Sequence, residues 1–453
     1  MVVVPGELDV RRGAPATKVI VFVNVLVYIY TSYRNLFLSS TQEAIYQLGF
    51  TPATLLSDPV SGVVRIFTAM FTHADLLHIF FNMYFLWLFG TRVESTIGTG
   101  RYLLLYFTSG IAAVLFHVGF IPVGGYDSLL ISVVGASGAI SGVLGAYLLL
   151  YPSTRLMFCT FFLLLPFCFP ISASAFLLIW FAEQVIYAYL QFGGVAYIAH
   201  IGGFLAGLVL TWWLGRSVAT RTRAILFDYW RKILEQLGII VPRPRGMGSF
   251  SKILLSLLIA AVLAGFAYGT TYLVYNKPET LIASISAVNQ GVEESENLVL
   301  VVEGGDVKVS TPQSTLVTIL LNRLSGRIYL YCSTCGTTPI TEHVVYTTRV
   351  RGLNVRVELN YTARYLPDGL LERVNGSMKT QVVKVPLSGQ PYLGEEVVID
   401  FEMGVARLDH TYTLLLTTSI VAIAVTLLAL VSVVKANEIS LIGEEALPPF
   451  FSA

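Results

Sequence analysis

The chain has 453 residues, of which 55% are hydrophobic and 13% charged, with a formal net charge of +1 and a mean hydropathy of +0.70. That balance excludes an ordinary soluble domain and places the chain among polytopic membrane proteins. A near-neutral charge, with no basic patch interleaved with aromatics, gives no footing for nucleic acid.

The segment 1–17 is short and polar, and no small-residue cleavage site follows the first apolar run, so a removable signal peptide is not expected. A hydrocarbon core of about 30 Å takes about 20 helical residues. Runs that qualify lie at 18–36, 70–90, 102–121, 129–151, 157–189, 195–215, 253–275 and 412–434, which predicts eight spans. Six of them make a core at 18–215. A linker at 216–252 follows, then a seventh helix at 253–275, a domain at 276–411, an eighth helix at 412–434 and a tail at 435–453. Between Arg216 and Lys252 eight Lys or Arg stand against Asp228 and Glu235. With alternating spans, Arg11, Arg12, Lys18, Arg92, Arg101 and Arg155 fall on the same side, which puts both termini in the cytoplasm of a multi-pass cell-membrane protein. The opposite side carries 37–64, 120–128 and the segment 276–411. That segment alternates in strand fashion (VKV, RIYLYC, VRVELNYTARYL, EEVVIDFEM) with turns at Gly304-Gly305 and Pro367-Asp368-Gly369, predicting a small antiparallel sandwich.

Three stretches carry chemistry: FTHADLLHIFFNMYFLWLFG at 71–90, GASGAISG at 135–142 and GGVAYIAHIGGFLAG at 193–207. Ser137 among glycines is a candidate nucleophile, His200 a candidate base, and His78 and Asn82 candidate polar donors, the minimum set for acyl transfer. In the predicted topology the second, fourth and sixth spans run the same way, so His78, Ser137 and His200 share one outer level, with the serine six to nine residues into its span. Small residues at this spacing (Gly138 and Gly142, Gly203 and Gly207) equally serve close helix packing. Both readings are compatible, because close backbones would bring Ser137 within reach of His200. His73 and His117 lack such partners and read as interfacial or structural.

GASG around Ser137, AHIGGFLAG around His200 and HADLLHIFFNMYFLWLFGTRVESTIGTGRYLLLY at 73–106 together resemble the rhomboid intramembrane serine proteases over residues 15–215. The resemblance implies a six-helix core in which a Ser–His dyad cleaves transmembrane substrates near their outer end. It implies Ser137 as nucleophile, His200 as base and then acid, and an oxyanion hole of His78, Asn82 and the Ser137 backbone N–H. Gly135, Gly138, Gly203 and Gly207 would support the site. Glu94, with Gly98 and Gly100, matches the family's structural loop, and WFAEQ at 180–184 its fifth span. Two positions depart from the family pattern. The first outer loop reads Val64-Arg65 in place of Trp-Arg, which puts the anchoring role of Arg65 in question. Ser141 stands where a tyrosine often stacks on the histidine, leaving Tyr197 to orient the ring.

Cys159 and Cys168 are expected to act as small apolar residues of the fifth span, and Cys332 and Cys335 to form a local disulfide in an oxidising compartment. Glu183 reads as a buried, hydrogen-bonded group. No metal or cofactor is expected. The expected partners are transmembrane protein substrates and membrane lipid, with the 276–411 domain a candidate surface for substrate or partner binding. The whole is an all-α polytopic membrane protein: a six-helix rhomboid-like core plus two extra transmembrane helices flanking a small extracytoplasmic β-rich domain. The alternatives are a non-proteolytic rhomboid-like scaffold that binds transmembrane helices, and a transporter, which the lack of repeated halves disfavours.

Overall fold

A computed structural model of the chain describes residues 2–5, 13–162, 165–191, 195–222, 246–324, 327–385 and 389–439. Residues 1 and 6–12, residues 223–245 of the linker and residues 440–453 of the tail lie outside the described residues. Among the described residues, seven helices are long and apolar enough to cross a membrane. They are α1 (Pro15–Asn35), α2 (Leu76–Ile97), α3 (Thr99–Gly119), α5 (Ala173–Leu190), α6 (Tyr197–Thr222), α7 (Ser249–Tyr275) and α9 (His410–Val434). Between α3 and α5 lies a shorter apolar helix, α4 (Ser137–Leu150).

Two predicted spans differ from what folds. The run 129–151 is α-helical only from Ser137, and that helix's 14 residues rise about 21 Å, short of a full crossing. Ser137 therefore opens its helix rather than lying several residues inside it. The run 157–189 is a helix only from Ala173. Before that, β2 (Arg155–Phe162) and β3 (Leu165–Ser172) pair antiparallel, with β1 (Val2–Pro5) on the outer edge of β2. Pro166 and Pro170 explain the difference, since each removes an amide donor and clashes with the preceding turn of a helix. Cys159 faces Cys168 across this pair, and the two are disulfide-bonded with Cα atoms 4.1 Å apart, so they do not serve as small apolar residues of a helix. The Ser172 hydroxyl then accepts from the Ala175 N–H at 3.2 Å and starts α5.

Helix α4 is surrounded by α3 and α6, and the α4–α6 contact is made by backbone. A Cβ built on Gly203 would strike the Gly138 carbonyl oxygen, and one on Gly207 the Gly142 carbonyl. Bare glycines let the two helices approach at this distance. Helices α7 and α9 pack on the same bundle. Phe266 of α7 meets Phe116 and Phe120 edge-on at 5.2 and 5.3 Å, and the Tyr189 hydroxyl of α5 donates to the Ala261 carbonyl at 2.6 Å.

The 276–411 segment is one sheet, not a sandwich. Its seven antiparallel strands are β4 (Glu279–Asn289), β5 (Val292–Glu303), β6 (Asp306–Val309), β7 (Ile340–Val350), β8 (Leu353–Tyr365), β9 (Leu371–Lys384) and β10 (Tyr392–Arg407), in the order β6-β5-β4-β10-β9-β8-β7. The place of a second layer is taken by α8 (Thr315–Leu324), which buries Leu316, Val317, Leu320 and Leu324 against Leu281, Ala283 and Ile285 of β4. The run RIYLYC forms no strand; it lies against the sheet through a Tyr331–Leu370 bridge, the Leu371 N–H donating to the Leu330 carbonyl at 2.9 Å and the Tyr365 hydroxyl donating to the Tyr329 carbonyl at 3.1 Å. Cys332, the last residue of that run, is disulfide-bonded to Cys335. The Glu294 carboxylate accepts from the Ser314 hydroxyl and the Leu316 N–H and holds the start of α8. Those bonds keep its pKa below the ordinary carboxylate value. The sheet sits directly on the helical core. Val301 of β5 is buried with Phe50, Val118, Ile121 and Tyr126, Lys308 pairs with Asp127 at 3.0 Å, and the Tyr126 hydroxyl donates to the Asn276 carbonyl at 2.6 Å.

Candidate active site

The segment leading into Ser137 is held extended before it turns. Phe50 and Val133 exchange backbone hydrogen bonds of 2.9 and 2.8 Å, the Gly135 N–H donates to the Ala69 carbonyl at 2.9 Å, and the Ala136 N–H points at His73 Nε2 at 3.5 Å. Gly135 turns the chain with φ +120°, a conformation open to glycine at no steric cost. Ser137 is then the first residue of α4, and the first backbone N–H groups of a helix have no partner within it. His73 is fully buried and braces this turn, a structural role.

Across the α4–α6 contact, His200 lies in the first turn of α6, and its Nε2 is 2.8 Å from Ser137 Oγ. Its Nδ1 is 2.8 Å from Oε1 of Gln184 on α5, a side chain only 5% exposed. An amide oxygen only accepts, so Nδ1 carries the ring proton and Nε2 is left free to accept from the serine hydroxyl. Trp180, one turn before Gln184, stacks on the His200 ring at 6.4 Å and 30°, and Tyr197 meets it edge-on at 6.4 Å and 88°. Ser141 turns back onto its own helix, donating to the Ser137 carbonyl at 2.7 Å.

His78 faces the pair from α2. The Ala74 N–H donates to its Nδ1 at 3.3 Å, which places the proton on Nε2. The space a Cβ on Gly135 would occupy is 2.7 Å from His78 Nε2 and 3.6 Å from Ser137 Oγ, so a donor and the hydroxyl border one small gap. Asn82, one turn further along α2, spends its amide on the His78 carbonyl at 2.8 Å. Asp75 caps the helix through the His78 N–H at 2.9 Å. His78, Asn82, Ser137, Trp180 and His200 all line one cavity of about 1120 Å³.

Other predicted residues lie elsewhere. Glu94 is at the far end of α2, 16 residues from His78, or about 24 Å along the axis. Its carboxylate accepts from the Ala16 and Thr17 N–H groups (2.9 and 2.8 Å) and from the Thr17 and Thr99 hydroxyls (both 2.8 Å). It caps α1 and joins α2 to α3, so it is not near the site. Arg65 donates to the Tyr46 carbonyl at 2.9 Å and ties together the short helices that connect α1 to α2. Glu183 is exposed rather than buried. Gln184 is the residue sequence reasoning overlooked, although WFAEQ already placed it four residues after Trp180, on one helix face.

The Rhomboid domain family matches residues 61–217, a range that contains His78, Asn82, Ser137, Gln184 and His200. The chain is 30% identical over 170 residues to "Rhomboid protein 1, mitochondrial" of Saccharomyces cerevisiae, covering 36% of this chain and 45% of that protein. It is 42% identical over 94 residues to "Rhomboid protease GluP" of Bacillus subtilis, covering 21% and 17%. It is 29% identical over 182 residues to the human "Presenilin-associated rhomboid-like protein, mitochondrial", covering 39% and 45%. Each match spans less than half the relative's own length. Residues 61–217 match the Rhomboid domain family, and the chain that carries them is a multi-pass membrane protein similar over that stretch to rhomboid proteins.

Proposed function

We propose that this protein is an intramembrane serine endopeptidase that cleaves transmembrane segments of other membrane proteins near the end of the bundle where His200 and Ser137 meet. The observation that carries this reading is the 2.8 Å contact between Ser137 Oγ and His200 Nε2, at the wall of a cavity large enough for water. At a liquid volume of about 30 Å³ per molecule, a cavity of about 1120 Å³ has room for tens of water molecules.

His200 Nε2 takes the hydroxyl proton as Ser137 Oγ bonds to the scissile carbonyl carbon. The oxygen that gains negative charge moves into the gap beside Gly135, where the His78 Nε2–H and the Ser137 backbone N–H donate to it. Collapse breaks the C–N bond, and the imidazolium returns the proton to the departing amine. Water then attacks the acyl-enzyme, giving one proton to His200 Nε2, and Ser137 leaves as the alcohol with that proton. A helical substrate hides its carbonyls in its own hydrogen bonds, so segments with small or helix-breaking residues suit the site.

The orientation follows from charge. The basic 216–252 segment follows the end of α6 opposite His200, so the dyad faces away from the cytoplasm, and we place the protein in the cell membrane with both termini inside. The 276–411 sheet then lies outside, beside the dyad, where it can hold substrates or partners.

Labelling of the detergent-solubilised protein with a fluorophosphonate tests the nucleophile. The unaltered chain is expected to label at Ser137 and the Ser137→Ala chain not to label. Equal labelling of both would remove Ser137 from the chemistry, and no labelling of either would favour a helix-binding scaffold.

A further inference from the structure

The dyad has a third member on a different helix. Gln184 Oε1 lies 2.8 Å from His200 Nδ1 while Ser137 Oγ lies 2.8 Å from His200 Nε2, so the three side chains form one hydrogen-bonded line through the imidazole. We propose that Gln184 is the positioning residue of the active site, fixing the His200 tautomer and ring orientation as a carboxylate does in a Ser–His–acid triad. This rests on the proposed proteolytic reading.

The argument begins with the ring itself. A neutral imidazole has two tautomers, and only the form protonated at Nδ1 can accept the serine proton at Nε2. An acceptor at Nδ1 selects that form, and the Gln184 oxygen is such an acceptor. The placement is rigid. Gln184 is 5% exposed and lies on the face of α5 that also buries Phe181, Leu177 and Val185. Phe181 in turn stacks on Phe204 of α6 at 4.7 Å and 24°, so the helix carrying the acceptor is packed against the helix carrying the ring. Trp180 and Gln184, at i and i+4, close on His200 together: the indole stacks on its face and the amide takes its Nδ1–H. Two contacts from one helical turn fix both the tilt and the rotation of a side chain that would otherwise turn about χ2.

An amide differs from a carboxylate in one respect that can be measured. It orients the ring and accepts from it, but it carries no charge to stabilise the imidazolium formed when the serine proton arrives. The titratable side chains around the ring are His78 from α2 and Tyr197 from α6, both lining the same cavity, while Glu183 is exposed on α5. Replacing the amide with a carboxylate adds a negative charge at Nδ1. That favours the protonated ring, so the base is lost at a higher pH as acidity increases, and the acidic limb of the rate profile moves upward.

The test compares the full-length unaltered protein with Gln184→Leu and Gln184→Glu. It follows labelling of Ser137 by a fluorophosphonate and cleavage of a transmembrane substrate as functions of pH, with thermal melts of all three. Gln184→Leu is expected to lose about 10- to 100-fold in kcat, less than the roughly 10⁴-fold cost of losing a triad carboxylate's function, with KM within about twofold. Gln184→Glu is expected to recover most of that rate with its acidic limb shifted to higher pH. The positioning role is overturned if Gln184→Leu labels and cleaves at the unaltered rate. It is also overturned if its loss tracks a fall in melting temperature while Gln184→Glu leaves the pH limb where it was. In either case labelling of the unaltered chain at Ser137 leaves the proteolytic reading standing, whereas failure of that labelling removes both.

Discussion

The Ser419 hydroxyl of α9 donates a 2.7 Å hydrogen bond to the carbonyl of Gly119, the last residue of α3, 300 positions earlier in the chain. A helix outside the rhomboid domain match thus closes directly onto one inside it. At the same point a Cβ on Gly119 would come within 2.9 Å of the Ser419 backbone nitrogen, so the contact exists only because Gly119 has no side chain.

Gly119→Leu should therefore separate α9 from α3. Forcing extra carbons into a packed interface costs about 1–3 kcal/mol, so a lowered melting temperature is the expected result. Because Ser137, His200 and Gln184 lie on other helices, kcat per folded molecule should change little. A melting temperature equal to that of the unaltered protein would mean that α9 is not held through this contact.

Gly203 lies at the close α4–α6 approach between Ser137 and His200, the proposed nucleophile and base. The backbone approach of Gly203 to the Gly138 carbonyl lies next to Ser137 and one turn from His200, so Gly203→Ala pushes α6 away from α4. A displacement of about 1 Å at a catalytic group costs on the order of 100-fold. Cleavage by Gly203→Ala should fall by about that factor even where the protein still folds, as judged by its melting curve. Unchanged cleavage would show that the α4–α6 spacing does not set the Ser137–His200 distance.

The two candidate oxyanion donors should not be equal. His78 presents an Nε2–H to the gap beside Ser137, while the Asn82 amide is engaged with the His78 carbonyl. Loss of one oxyanion donor costs about 100- to 1000-fold in kcat. His78→Ala should show that loss and Asn82→Ala a smaller one, both measured as kcat at saturating substrate. The reverse order would place Asn82, not His78, at the developing charge.

The glycine spacing and the three polar motifs made the core legible in the sequence, because apolar periodicity and small-residue stripes are local signals. Where the reading departed, a stronger local constraint was present. Pro166 and Pro170 turned an apolar run of helical length into a strand pair with its own disulfide. The apolar spacing of Leu316, Val317, Leu320 and Leu324 replaced a second sheet with a helix. Gln184 carried no signal alone, since a glutamine on an apolar helix acquires meaning only once α5 sets it against His200. Docking of the β5 strand on the core at Val301 and Tyr126 depends on contacts far apart in sequence, which no periodicity reveals.

The most direct test is cleavage in a lipid bilayer. The protein and a single-span substrate are reconstituted together in liposomes, and the product ends are determined by mass spectrometry for the unaltered chain and for Ser137→Ala. Serine and alanine pack alike at the first position of α4, so both proteins should melt at similar temperatures. The predicted result is a cut within the substrate's span near the leaflet that holds His200 and Ser137, seen with the unaltered chain and absent with Ser137→Ala. The same cut made at the same rate by Ser137→Ala would contradict the account.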